Sequence, residues 1–339
     1  EILSKTTAHA TTSHSKAMKP VGISDFTCIP PHPYGAKPGG NAYFENDSSS
    51  TNRCREPKVS DELWQVILSY CSGNDLSRFV QTSRANYVAG HQPELWRDLM
   101  LHASQRTVVD TFLRSWKDTY HHGQRRKGIK PHVPIPVSGV YSDTYYRTHL
   151  CRSFAIPEQW LKPNCNSGVD IMPASLSLED FRSRYETPNR PVVLRGAAKS
   201  WRAMQLWQDQ SYLIKKTGGR DFRATSGAAP LPAQFTLSSY LDYCTSTGLE
   251  EAPLYLFDRT ALTTGSLKDD YFPDLQRTCP WFDPAKSATN EHDLFQHLGE
   301  GRRPDHTWLI VGPKRSGSSF HFDPNATHAW NAAIVGRKR

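Results

Sequence analysis

Apolar and polar positions divide this chain into stretches of different texture. Over residues 1–57 apolar side chains are sparse and aperiodic among Ser, Thr, Pro, Gly and Asn, with PPHPYGAKPGG and NDSSSTN as extremes. Such a segment buries too little to offset its ordering entropy, so a disordered tail is expected. The texture changes at Val59. In VSDELWQVILSY, Leu63, Trp64, Ile67 and Leu68 recur at helical spacing, Ser60 is placed to cap, and Asp61 and Glu62 sit in the first turn, where negative charge suits the dipole. SGND breaks this helix. Asp75 is placed to cap a second, carrying Leu76, Phe79 and Val80, and Pro93 suits the first turn of a third, carrying Leu95, Trp96, Leu99 and Met100.

VVDTFLRSWKDTY continues in helical texture, and a basic, proline-rich linker follows. Beyond it a helix is predicted from Leu178 to Tyr185, and PVVLRG, APLYLFDR and HTWLIVG read as strands, rich in β-branched and aromatic residues. The pattern thus predicts a tail over 1–57, a helical unit over 58–103, a linker over 104–140 and a β domain over 141–339. The class is α+β, with a sandwich or jelly roll decorated by helices.

Three short helices cannot bury much core alone. An apolar face of Leu63, Trp64, Ile67, Leu68 and Leu76 is therefore expected to meet a partner protein, with a cap on the following domain as the competing reading. The order L-W-Q-V-I-L-S-Y, D-L-S-R-F-V-Q-T-S-R, P-E-L-W-R-D-L resembles an F-box, with Val59-Ser60 where that family opens on Leu-Pro. The resemblance implies docking on the adaptor subunit of a cullin–RING ubiquitin ligase.

Composition narrows the setting. The 339 residues suffice for two modest domains and a tail, and the 37% hydrophobic content is low for a wholly packed chain. No apolar run approaches the roughly 18 residues of a membrane span. Seven scattered cysteines without a C-x-x-C pair read as reduced thiols of a nuclear or cytosolic protein. A net charge of +8 suits an acidic partner. Its densest source, RRKGIKPH from Arg125 to His132, is a solvated loop, a nuclear-localisation signal or a weak RNA contact.

The chemistry concentrates in SGSSFHFDPNATHAW, Ser316 to Trp330. In a strand, His321 and Asp323 share one face, and Phe320 and Phe322 the other. A histidine and a carboxylate on one strand are two thirds of a 2-His-1-carboxylate iron site. A bare H-x-D arises on the order of once by chance in a chain of this composition, so its neighbours decide. They read as a strand, a Gly/Ser turn, the H-F-D strand, a polar turn and a last strand, AWNAAIVG. Fe(II) so held leaves positions for a chelating dicarboxylate, which needs a cation and small polar side chains. Lys338, Ser318 and Asn331 are of the right types, and each alone also reads as a surface charge, a turn residue or a strand-end polar group.

Together, PVVLRG, S-x-Y-L-D-Y with APLYLFD, DLFQHLGEGRRPDHTWLIVGPKRSGSSFHFDP and AWNAAIVGRKR resemble the JmjC-domain proteins. The likeness is to the jumonji-domain-containing-6 (phosphatidylserine receptor) group, over most of residues 141–339. It implies a double-stranded β-helix with Fe(II) and 2-oxoglutarate. By position it implies His321 and Asp323 as metal ligands, Lys338 on the far carboxylate, and Asn331, Ser318 and Tyr255 lining the same pocket. The expected activity is dioxygenation of a protein substrate, such as a histone or an RNA-associated protein, by lysyl hydroxylation or N-methyl removal. The family's second iron-binding histidine and closing strands fall past Arg339, so a truncated, inactive fragment is expected. The competing class is a non-catalytic F-box protein that recruits clients through a JmjC-like domain.

Overall fold

The computed structural model describes residues 29–43, 59–102, 108–123, 132–154, 168–227, 229, 231–246, 250–262, 265–271, 294–299 and 301–338. Four helices, not three, build the layer after Val59: α1 Asp61–Ser69, α2 Gly73–Phe79, α3 Arg84–Ala89 and α4 Pro93–His102. Ser60 caps α1 by accepting from the Leu63 N–H, as expected. Ser72, rather than Asp75, caps α2. Asp75 instead closes a capping box with it, because a serine three residues ahead of an acid satisfies two helix-end donors at once. The short α3, capped by Ser83, spans under two turns, too few for a periodic signal.

Residues 29–43, expected to be disordered, pack on this layer. The Lys37 N–H donates to the Val140 carbonyl and its own carbonyl accepts from Ser142, at 3.0 and 2.9 Å. The Gly39 N–H donates to Asp143 Oδ1 at 2.9 Å. Gly35 has φ 81°, and a Cβ there would stand 2.0 Å from the Val137 carbonyl oxygen, so the turn needs glycine. The partners lie about 100 residues away in sequence, beyond the reach of local composition. The rest of the expected tail lies outside the described residues.

Two further helices complete the layer, α5 Trp116–Gly123 and α6 Asp143–Ser153. The Val-Val of the expected helical continuation forms a strand instead, β1 Val108–Val109, because β-branched residues fit a sheet edge better than a helix. A separate ribbon pairs β2 Asp170–Pro173 in parallel with β3 Val192–Arg195. The predicted helix at Leu178 forms as α7 Leu178–Phe181 and runs into a π turn over Arg182–Glu186. The helices α8 Arg202–Leu206 and α9 Gln210–Thr217 follow.

The main sheet combines β1 with β4 Asp221–Thr225, β5 Ala233–Thr236, β6 Tyr255–Asp258 and β7 Leu309–Val311, in the order β1-β5-β4-β6-β7. Only the β1–β5 pairing is parallel. Phe222, Ala224, Ala233, Phe235 and Leu256 are fully buried on one face, where helix α10 Leu237–Ser246 packs through Tyr240 and Tyr243. Trp116 of α5 meets Phe235 edge-on at 6.3 Å, and Phe112 meets Tyr243 at 5.1 Å. Helical layer and sheet therefore share one core, running from Leu68, Leu76 and Trp96 to Leu309. Helices and sheets are thus mixed, as the expected α+β class requires.

The strands expected at Phe320–Asp323 and in AWNAAIVG do not form. After β7 the described chain to residue 338 has only a 3-10 turn, Pro324–Ala326. A strand exists through its ladder, and no described segment offers these residues one.

Candidate functional site

The site is hung from the end of β7. Arg315 adopts φ 74°, and its guanidinium reaches back to the carbonyls of Glu250 and Glu251 at 2.6 and 3.2 Å. Ser316 closes the turn on the Pro313 carbonyl through its N–H and its hydroxyl. From this anchored turn the chain runs outward to His321 and Asp323.

His321 Nδ1 lies 2.7 Å from the Ser319 carbonyl, and Nε2 lies 3.4 Å from Asp323 Oδ1. A carbonyl only accepts, so Nδ1 carries a proton, and Nε2 is the ring nitrogen turned toward the carboxylate and the one a metal would take. Donors about 2.1 Å from one ion at right angles stand about 3 Å apart, close to the separation here, and a backbone carbonyl on the other ring nitrogen is the usual support of a ligating histidine. The residues thus fit two positions of an Fe(II) site. Among the described residues no third His, Cys, Asp or Glu joins them. His297, His306 and His328 are exposed, and His292 lies outside the described residues.

The residues expected to hold the cosubstrate come together in part. Lys338 Nζ donates to Asn331 Oδ1 at 2.7 Å, so the cation and amide expected to share a pocket are paired. Ser318 is exposed, and Tyr255 lies half-buried on β6, its ring 6.0 Å from Phe257. No hydrogen bond or ion pair among the described residues joins Ser318 or Tyr255 to either pair. Trp330 packs edge-on against Trp201 at 6.2 Å, and the Ile334 carbonyl accepts from Gln208 Nε2, which tethers the segment before Lys338. Phe320 and Phe322 are 110% and 98% exposed, so the ligand arm buries neither flank.

The expected docking face divides. Leu68 and Leu76 are 1% and 0% exposed and belong to the core, and Trp64 stacks at a tilt on Phe79, 5.7 Å away. Leu63 and Ile67 do face outward, joined by Val66 and Tyr70. The correction follows from helix geometry: Leu68 lies one position round from Ile67, about 100° away, and points into the fold.

Two polar clusters had no sequence signal, since their members lie far apart. Glu250, 1% exposed, accepts from Arg97 Nη1 at 3.3 Å and from the Tyr243 hydroxyl; burial pushes its carboxyl up while Arg97 opposes this. Histidines 32, 91, 132 and 149 gather around Tyr34, with His91 and His132 stacked at 4.4 Å. Burial lowers His91 to about 3 and His32 and His132 to about 4.

Residues 178–339 match the cupin-like domain family. Over 91% of its length the chain is 32% identical to the arginine-specific demethylase JMJ22 of Arabidopsis thaliana, covering 58% of that protein. It is 30% identical to the lysine-specific demethylase JMJ21 of the same plant over 83% of its own length and 28% of that protein's. It is 32% identical to the bifunctional arginine demethylase and lysyl-hydroxylase psr-1 of Caenorhabditis elegans, over 49% of the chain and 38% of that protein. It therefore spans between about a quarter and three fifths of these relatives. Residues 178–339 are thus similar to cupin-like domains, and the chain that carries them is similar to JMJ22, JMJ21 and psr-1.

Proposed function

We propose that the protein is a 2-oxoglutarate-dependent oxygenase of protein side chains, removing N-methyl groups from arginine or lysine or hydroxylating lysine. The observation that carries this reading is the approach of His321 Nε2 to Asp323 Oδ1, with Nδ1 held by the Ser319 carbonyl. Bound there, Fe(II) with 2-oxoglutarate would supply oxygen activation, the cosubstrate leaving as succinate and carbon dioxide. The chain's own part is positional. Ser319 fixes the His321 ring, and the turn held by Arg315 carries the arm. Lys338 neutralises the far carboxylate of 2-oxoglutarate, and Asn331 holds its ammonium in place. The names of JMJ22 and psr-1 support a methylarginine or lysine substrate. Succinate release by the full-length protein, coupled to change in a methylarginine or lysine peptide, tests this; a full-length His321→Ala variant that turned over as fast as an active wild type would sink it.

A second reading rests on the exposed α1 face of Leu63, Val66, Ile67 and Tyr70. We propose that this face docks the ligase adaptor in the manner of an F-box, so that the chain recruits clients with or without chemistry. Adaptor capture that survives in His321→Ala separates this role from catalysis. A nuclear location, and a weak RNA contact through Arg125–Lys130, are proposals from the basic sequence alone; that stretch lies outside the described residues.

A further inference from the structure

At the seam between the N-terminal segment and α4, α5 and α6 lies a cavity of about 40 Å³, lined by His32, His91, Lys117, His149 and Arg152 among others. A water needs about 10–15 Å³ on this measure, so the space admits about three waters or one tetrahedral oxyanion. Its charge is one-sided. Lys117 and Arg152 are both cations, and no carboxylate lines the cavity among the described residues. Asp118, the neighbour of Lys117, is engaged elsewhere, accepting from the His132 N–H at 3.0 Å and facing Arg114 at 3.9 Å.

The donors are set but not used up. Lys117 Nζ donates to His91 Nε2 at 2.7 Å, and His91 Nδ1 donates to the Tyr87 carbonyl at 2.6 Å. An ammonium has three donors, so Lys117 keeps capacity for a ligand. Arg152 makes no ion pair among the described residues; burial, and then repulsion from Arg315, lower its pKa. His149 is 2% exposed, donates from Nε2 to the Pro30 carbonyl at 2.6 Å, and leaves Nδ1 without a partner. Gln92 and Pro93 at the start of α4, and Ser115 to Lys117 at the start of α5, also line the walls. Two helix N-termini thus add partial positive charge to a space that already holds two cations.

We propose that this cavity binds a small tetrahedral oxyanion of the phosphate class, held by Lys117 and Arg152. The α4 and α5 N-termini stand behind it, and His149 Nδ1, the accepting nitrogen of a ring whose Nε2 donates to Pro30, takes the O–H hydrogen of a protonated oxyanion such as hydrogen phosphate. Burial lowers the Lys117 pKa and Asp118 offsets this only in part, so neutralising these half-buried cations removes a desolvation cost and occupancy locks the segment of His32 and Tyr34 onto the helical layer.

Inorganic phosphate titrated into the 339-residue protein at constant ionic strength tests this, followed by calorimetry and by histidine ring resonances. One saturable site is expected, with the rings of His91 and His149 moving while those of His297, His306 and His321 stay. Chloride should have no such effect. The double variant Lys117→Met, Arg152→Gln should bind at least about a hundredfold more weakly, about tenfold for each lost cation. The proposal is overturned if the wild type shows no saturable site, if the exposed or His321 rings move instead, or if a folded double variant binds as tightly as wild type. Should that variant not fold, the wild-type ring shifts decide alone.

Discussion

Arg315 Nη1 donates to the Glu250 carbonyl at 2.6 Å, while the Glu250 carboxylate pairs with Arg97 of α4 at 3.3 Å. One buried residue thus joins the helical layer to the turn that launches the His321 arm. Glu94 of α4 adds to the joint by accepting from the Glu251 N–H at 3.2 Å. The helical layer is therefore a support of the site as well as a candidate docking module.

The Arg97–Glu250 pair is buried on both sides, so removing one partner strands the other. Arg97→Ala is expected to cost about 3–5 kcal/mol in urea unfolding. Arg97→Met combined with Glu250→Gln should recover much of that loss. Arg147→Ala, which breaks the exposed pair with Glu251, should cost under about 1 kcal/mol. Equal losses for Arg97→Ala and Arg147→Ala would contradict the buried joint.

Adjacent residues on α1 should behave oppositely. Ile67→Asp is expected to leave stability nearly unchanged and to abolish co-purification with the ligase adaptor. Leu68→Ala should cost about 2–5 kcal/mol through the cavity it leaves. Adaptor binding that persists in Ile67→Asp would remove the α1 face from consideration.

Much of this was legible in sequence, for local reasons. Ser60 and Pro93 mark their helices because caps act within one turn, and PVVLRG, APLYLFDR and HTWLIVG gave β3, β6 and β7 because β-branched runs carry their own signal. The pairing of His321 with Asp323 survived loss of the expected strand, since side chains two residues apart on extended backbone still share a side. What stayed hidden depends on distant partners. The ordering of His32 to Lys37, the burial of Leu76 and the Glu250 joint each arise from segments far apart in sequence.

The histidine cluster predicts acid sensitivity. His91 faces Lys117 and the Tyr87 carbonyl; His132 faces Lys117, Asp118 and His121; His32 faces His149 and Arg152. All three pKa values lie below the 6.5 of a free histidine, at about 3 to 4, so the unfolded chain binds more protons between those limits. The stability they contribute is complete above pH 6.5 and declines as pH falls toward 4. Urea midpoints should drop over that window, and His91→Gln should flatten the slope near pH 5 by about one proton. A flat profile from pH 7 to 4.5 would show that these rings charge freely in the fold.

Lys338 tests the cosubstrate assignment. A shielded charge-assisted pair contributes about 1.5–3 kcal/mol, so in the full-length protein Lys338→Ala should weaken 2-oxoglutarate binding about tenfold to a hundredfold while metal binding holds. Unchanged affinity in calorimetry would make Lys338 a surface charge paired with Asn331.

The metal reading can be tested without turnover, using Co(II) as a spectroscopic probe for Fe(II). His321→Ala and Asp323→Ala each delete a donor atom. Even loss of a supporting residue behind a ligand weakens metal binding about tenfold to a hundredfold, so each of these substitutions should do at least as much. His328→Ala, four residues past the 3-10 turn's first residue and exposed, should leave the spectrum unchanged. If His321→Ala bound Co(II) as wild type does, the ion would have to sit elsewhere. The short approach of His321 to Asp323 would then be a surface hydrogen bond between an imidazolium and a carboxylate.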